Sequence, residues 1–188
     1  MKTDQDNHQF NLITNRLKGK MIIAVIGAGQ PTKNIYQLAL EVGEELGKRH
    51  MTVICGGMGG VMEAVCKGTK STGGFTIGVL PGDKPYLANQ WVDIPICTGM
   101  SDARNVIIVK TGTVVISIGG SYGTLSEIGH ALSDSVPVIG LNTWNLSRDN
   151  RSDKTIVISS GAKDAVQKAI KIGNHRLKTT SNLEHINE

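Results

Sequence analysis

Three short apolar runs in this chain each break off into a cluster of glycines, and few folds place glycine that way. MIIAVI (21–26) empties into Gly27-Ala28-Gly29, MTVIC (51–55) into GGMGG, and VVISI (114–118) into GGSYG. A continuous apolar run is the signature of a strand buried on both faces. Glycines at its end carry no Cβ and accept positive φ, so a ligand can approach their backbone N–H groups. The 188 residues include 23 glycines, against a usual share of about 7%, and the excess lies in these clusters.

Helical spacing fills the intervals. Ile35, Leu38, Val42 and Leu46 recur along KNIYQLALEVGEELGKRH, and VMEAVCKGTKS (61–71) reads as a second helix. FTIGVLP (75–81) is a third strand, WVDIPICTG (91–99) a further one, SDARNVIIVKT (101–111) a helix and GTVVISI (112–118) a strand. A helix through about Asp134 follows, then strands VPVIGL (136–141) and KTIVIS (154–159), with GAKDAVQKAI (161–170) as closing helix. The β-α-β-α-β opening predicts an α/β protein, a Rossmann-like three-layer sandwich with a central, mainly parallel sheet. Residues 1–19 read as a polar arm, 20–173 as one domain and 174–188 as a polar, frayed tail. In such a sheet the ligand lies beyond the carboxyl ends of the strands, near the switch in strand order. Gly27, Gly29, Gly56, Gly57, Gly60, Gly119, Gly120, Ser121 and Gly123 are the candidates there.

Several function classes are disfavoured. The net charge is +4, yet no Lys/Arg block is interleaved with aromatics, which argues against nucleic acid as partner. The longest apolar stretch, Met21–Ala28, is far short of a membrane span. Cys55, Cys66 and Cys97 form no C-x-x-C and, with no signal sequence, suggest a reducing cytoplasm. Five scattered histidines give no metal-ligand spacing. A standard NAD site at GAGQP is disfavoured, because the third fingerprint glycine is Thr32 and Cys55-Gly56 stand where an acidic residue should end the second strand.

The last cluster carries the most chemistry. Gly123-Thr124 is expected to open a helix whose free N–H groups and dipole favour an anion, phosphate above all. Thr124 can cap that helix or donate to a phosphate oxygen. Leu125, Ile128 and Leu132 should face the sheet, leaving Thr124 and Glu127 on the opposite, mouth-facing side. Two readings of Glu127 stand: the far end of a Thr-x-x-Glu capping box, or a ligand-facing carboxylate. Arg104 is either a surface residue paired with Asp102 or a fixed cation facing a ligand. His130, one turn beyond Glu127, reads as an ordinary helix-face histidine.

Gly119-Gly120-x-x-Gly123-Thr124-x-x-Glu127, with Arg104 upstream and Gly56-Gly57-x-x-Gly60-x-Met62 earlier still, resembles the LOG-like superfamily over roughly residues 20–170. Many of its members were once labelled possible lysine decarboxylases. Its LOG branch carries P-G-G-x-G-T-x-x-E and consists of phosphoribohydrolases, which cut the N-glycosidic bond of cytokinin riboside 5′-monophosphates or AMP. The resemblance implies Glu127 as catalytic carboxylate, Arg104 as its partner, and Gly120, Gly123 and Thr124 as the phosphate holders. It also implies a homo-dimer or tetramer built through helices beside the site, for which Val106–Val109 is a candidate contact unless that helix is core. Ile118 stands before Gly-Gly where the family has proline, and Asn105 follows the arginine in place of lysine. Those departures are similar to a branch related to molybdenum-cofactor carrier proteins, which implies the alternative of a non-catalytic carrier or sensor. No cofactor is required in the first reading; molybdenum cofactor would be cargo in the second. A pyridoxal-phosphate decarboxylase is disfavoured, since no lysine is placed in the glycine-lined mouth.

Overall fold

The computed structural model describes residues 21–184, so the arm expected over 1–19 lies outside the described residues. Seven strands form one parallel sheet: β1 (Ile22–Gly27), β2 (Thr52–Cys55), β3 (Phe75–Leu80), β4 (Ile94–Cys97), β5 (Val114–Ile118), β6 (Val138–Leu141) and β9 (Ile156–Ile158). Their order is β4-β3-β2-β1-β5-β6-β9, and a two-residue hairpin, β7 (Ser147–Arg148) with β8 (Arg151–Ser152), stands apart. Five helices connect them: α1 (Lys33–Gly47), α2 (Val61–Ser71), α3 (Asn105–Thr111), α4 (Tyr122–Ser133) and α5 (Ala162–Glu184). This is the expected three-layer Rossmann-like sandwich, with the sheet wholly parallel.

Alternation along β1 sorts the two cores. Ile23 and Val25 pack with Val42, Leu46, Val65 and Val166 from α1, α2 and α5. Ala24 and Ile26 pack with Ile108, Val109, Ile128 and Ala131 from α3 and α4 on the other face. Ile108 and Val109 are thus core residues, while Val106 and Ile107 are half-buried. Successive strands step outward from β1 to β2, β3 and β4, then the chain returns to place β5 on β1's other side. The carboxyl ends of β1 and β5 therefore flank the switch point, where such sheets leave a crevice. Their register, Gly27 opposite Ile118, brings the first and third glycine clusters side by side.

Two expectations need correction. The helix predicted over 101–111 begins as a 3-10 turn, Ser101–Arg104, before α3 proper. The closing helix does not fray at Asn174 but continues to Glu184. Gly173 is packed against Met21 and Val114, and the Arg176 guanidinium donates to the Thr113 carbonyl at 3.3 Å. Those contacts hold the polar stretch to the sheet although its composition gives no hydrophobic stripe. No helix among the described residues is long and apolar enough to cross a membrane.

Candidate functional site

A cavity of about 200 Å³ opens at the ends of β1 and β2. Gly27, Ala28 and Gly29 form one wall, Gly56 and Met62 another, and Ser121, Gly123, Thr124 and Glu127 of α4 a third. Asp102, Arg104 and Asn105 close the fourth side. Of the candidates named from sequence, Gly27, Gly29, Gly56, Ser121, Gly123, Thr124, Arg104 and Glu127 line this one space.

Gly57, Gly60, Gly119 and Gly120 do not line it; they shape its loops. Gly60 has a φ of +70° and lies against the carbonyls of Ala28 and Gly29, so the first two glycine loops touch. The adjacent Val61 N–H donates to Ala28 O at 3.0 Å, tying them together. Gly57 is packed on Gly78, and its carbonyl accepts from Asn89. Gly119, at φ +57°, donates to Leu141 O at 3.0 Å and accepts from the Thr143 hydroxyl at 2.6 Å. Any side chain at Gly120 would collide with Thr124. Thr143, and Trp144 with its indole N–H on Ser121 O at 3.2 Å, brace the third loop from β6.

Helix α4 starts at Tyr122, one residue before the expected position, with Ser121 at its N-cap and no side-chain cap bond. The first N–H to find a helical partner is that of Leu125, which donates to Ser121 O. Thr124 and Glu127 therefore sit inside the first two turns and form no capping box. Nor do they face away from the sheet. The inner face of α4 is Thr124, Glu127, Ile128 and Ala131, with Leu125 and Leu132 only half-buried. The buried face of α4 thus serves two neighbours, with Thr124 and Glu127 lining the cavity and Ile128 and Ala131 packed in the core. His130 is exposed and does not line the cavity.

Charge is concentrated here in a dry setting. Arg104 and Glu127 are each only 8% exposed. The Nε and Nη1 of Arg104 are buried without a hydrogen-bond partner. Its guanidinium lies over Gly56, where an added Cβ would fall 2.6 Å from both terminal nitrogens. Burial pulls the Arg104 pKa down from its ordinary value, while the charges of Glu127, Cys55 and Asp102 oppose that shift. Burial pushes Glu127 up to about 7; Arg104 works against this and Asp102 adds to it. The Arg104–Asp102 ion pair weighed from sequence does not form among the described residues. Also among the described residues, no group of three or more His, Cys, Asp or Glu side chains is placed to hold a metal.

Met62 and Asn105 stood in the sequence only as positions of the family pattern and Asp102 only as a partner weighed for Arg104, while the bracing Thr143 and Trp144 carried no glycine or spacing signal. Register within the motif also needs correction. Counted back from Thr124 and Glu127, the order P-G-G-x-G-T-x-x-E places the family's proline at Gly119, not Ile118, and its second glycine at Ser121. Proline could not adopt the +57° φ found at Gly119, so the loop enters α4 by a route of its own.

A parallel α/β sheet with a glycine-lined cavity at its switch point, holding one buried arginine and two carboxyl groups, defines a class of Rossmann-like proteins. Within it, the chain belongs to the SLOG cluster4 family, whose model matches residues 20–172. An uncharacterized protein of Archaeoglobus fulgidus is 48% identical over 121 residues, covering 64% of this chain and 80% of that one. The cytokinin riboside 5′-monophosphate phosphoribohydrolase of Mycobacterium tuberculosis is 32% identical over 139 residues, covering 68% of this chain and 74% of the relative. Among solved structures, the molybdenum cofactor binding protein of Rippkaea orientalis superposes with a TM-score of 0.74 at 32% identity, covering 81% of this chain and 97% of that one.

Proposed function

We propose that the protein binds a phosphorylated, nucleotide-like ligand in this cavity and hydrolyses the N-glycosidic bond of a nucleoside 5′-monophosphate. The observation that carries the reading is Arg104: a buried guanidinium with unpartnered donors, beside a buried carboxyl, in a space lined by glycine. Burying donors without partners costs about 1–3 kcal/mol or more for a charged group, and an anion or sugar hydroxyl would recover it. The free N–H groups opening α4 offer the phosphate a second anchor. At about 200 Å³ the cavity is smaller than the roughly 300–1,000 Å³ of pockets that enclose a whole ligand. It suits a pentose phosphate, with the base directed to the mouth.

Glu127 supplies the chemistry. With its pKa raised to about 7, part of the population is protonated at neutral pH and can pass that proton to the departing base. The carboxylate left behind faces the oxocarbenium-like sugar and stabilises it. Water then completes the cleavage, giving free base and ribose 5-phosphate. The direct test is release of adenine from AMP by the purified protein. Wild type should exceed Glu127→Ala by about 100-fold or more; equal background rates from the two would end the hydrolase reading.

Binding is testable apart from turnover. Ligand at 100 times its Kd should add about 2.7 kcal/mol of stability, visible as a thermal shift. AMP or ribose 5-phosphate should shift wild type but not Arg104→Ala. Gly56→Ala should also lose most of the shift, because its methyl group would displace the guanidinium.

A second reading is a carrier of molybdenum cofactor, favoured by the likeness to the Rippkaea orientalis protein and by Asn105 on the cavity wall. It predicts pterin fluorescence in protein purified after co-expression with the cofactor pathway, and no base release from any nucleoside monophosphate. Fluorescence absent from such a preparation would remove it.

A further inference from the structure

The cavity holds a second carboxylate that the chemistry above leaves unused. Asp102 lines the cavity from the 3-10 turn Ser101–Arg104, exposed at the mouth where Glu127 is buried. Its side chain forms no hydrogen bond or ion pair with any described residue. The turn that carries it is firmly set. Thr98 Oγ1 donates to Leu80 O at 2.7 Å, Gly99 N–H to Gly82 O at 3.1 Å and Ser101 N–H to Pro81 O at 3.0 Å. Ser101 is held at a φ of +50°, a left-handed conformation that a serine keeps only where its surroundings impose it. A solvated surface carboxylate needs none of this anchoring.

The geometry points to Asp102 as a catalytic base, taking a proton from the water that attacks the anomeric carbon. The inference rests on the hydrolase reading and adds the missing half of its acid–base chemistry. The water oxygen bonds to the anomeric carbon as the bond from that carbon to the base nitrogen breaks. The electron pair of the broken bond leaves with the base, which takes the Glu127 proton. One water proton passes to Asp102 and returns through solvent to Glu127, so nothing is oxidised or reduced. Glycoside hydrolysis commonly uses two carboxyl groups in unlike surroundings, one dry and acidic, the other wet and basic. The charged groups that share this space are Arg104 and Glu127, with the Cys55 thiol among those acting on Arg104.

The test is steady-state AMP cleavage by Asp102→Asn, Asp102→Ala and Asp102→Glu, each checked by melting and by ribose 5-phosphate binding. Asp102→Asn should lower kcat about 100-fold or more with KM changed less than about threefold. Sodium formate, a small carboxylate, should restore part of the turnover of Asp102→Ala, and Asp102→Glu should outperform Asp102→Asn. A kcat for Asp102→Asn within about threefold of wild type would overturn the assignment while leaving the hydrolase reading intact. So would a loss of kcat that travels with loss of ribose 5-phosphate binding, because Asp102 would then be positioning Arg104. If wild type itself releases no base, both readings fall together.

Discussion

Glu127→Gln is expected to raise the melting temperature of the ligand-free protein at pH 8 while cutting adenine release about 100-fold or more. The carboxyl is 8% exposed, and burial lifts its pKa from 4.5 to about 7 against the pull of Arg104. Between those two values the folded chain binds more protons than the unfolded one. Stability contributed by the neutral carboxyl is therefore full below pH 4.5 and is lost as pH rises through about 7. One pKa unit corresponds to about 1.4 kcal/mol, so the loss reaches at most about 3 kcal/mol above pH 8. Glutamine keeps the shape and never ionises. The gap in stability between Glu127→Gln and wild type should thus be near zero at pH 4.5, open across pH 5–7, and level off beyond pH 8. At about 2–4 °C per kcal/mol for a chain of this size, melts resolve it easily. A wild type that is more stable than the variant at pH 8 would mean that attraction to Arg104 outweighs burial. The same swap removes the proton donor, so stability and activity should move in opposite directions, as they do where a site is built at the expense of the fold.

The sheet was the legible part of this protein. Its strands are apolar runs bounded by glycine or proline, and burial on both faces leaves few other sequences possible. The helix ends were less so. Asn174 to Glu184 looked like a tail because the contacts at its start, Gly173 on Met21 and Arg176 on Thr113, are made to residues distant in sequence. The site was legible as a set of residues but not as a geometry. Thr-x-x-Glu fits a capping box and a ligand-facing turn equally well, and the position of Ser121 as N-cap excludes the first. Glycine is ambiguous for a related reason. Gly56 makes room for a guanidinium, whereas Gly60 makes room for a neighbouring loop, and the letters are the same. Asp102 was legible only as a partner weighed for Arg104, because its place at the mouth depends on a turn anchored to residues 80–82.

Gly68→Ala should destabilise the protein by about 3 kcal/mol or more and weaken ligand binding at a site it does not touch. In an isolated helix the same change would help, since alanine is the better helix former by about 1 kcal/mol. Here α1 and α2 meet backbone to backbone. A Cβ on Gly68 would run into the Leu40 carbonyl and lie 2.8 Å from the Glu44 nitrogen. Gly43 faces the Val65 carbonyl and the Thr69 nitrogen across the same seam, and Gly47 meets Thr69 and Thr72. Backbone cannot move aside as a flexible side chain can, so the helices must separate and give up the packing of Val42, Leu46 and Val65. The displacement does not end there. Helix α2 begins at Val61, whose N–H holds Ala28 O, and it follows directly on the loop that sets Gly56 beneath Arg104. Moving α2 therefore loosens two walls of the cavity together. Gly129→Ala is the matched control: it lies in α4, exposed, with no heavy atom within 4 Å of an added Cβ. It should leave binding unchanged and stabilise by about 0.5–1 kcal/mol. Urea unfolding of the two variants settles the matter. Equal stabilisation in both would mean that α1 and α2 are not packed at backbone distance, while loss in Gly68→Ala alone ties the integrity of the site to this glycine seam.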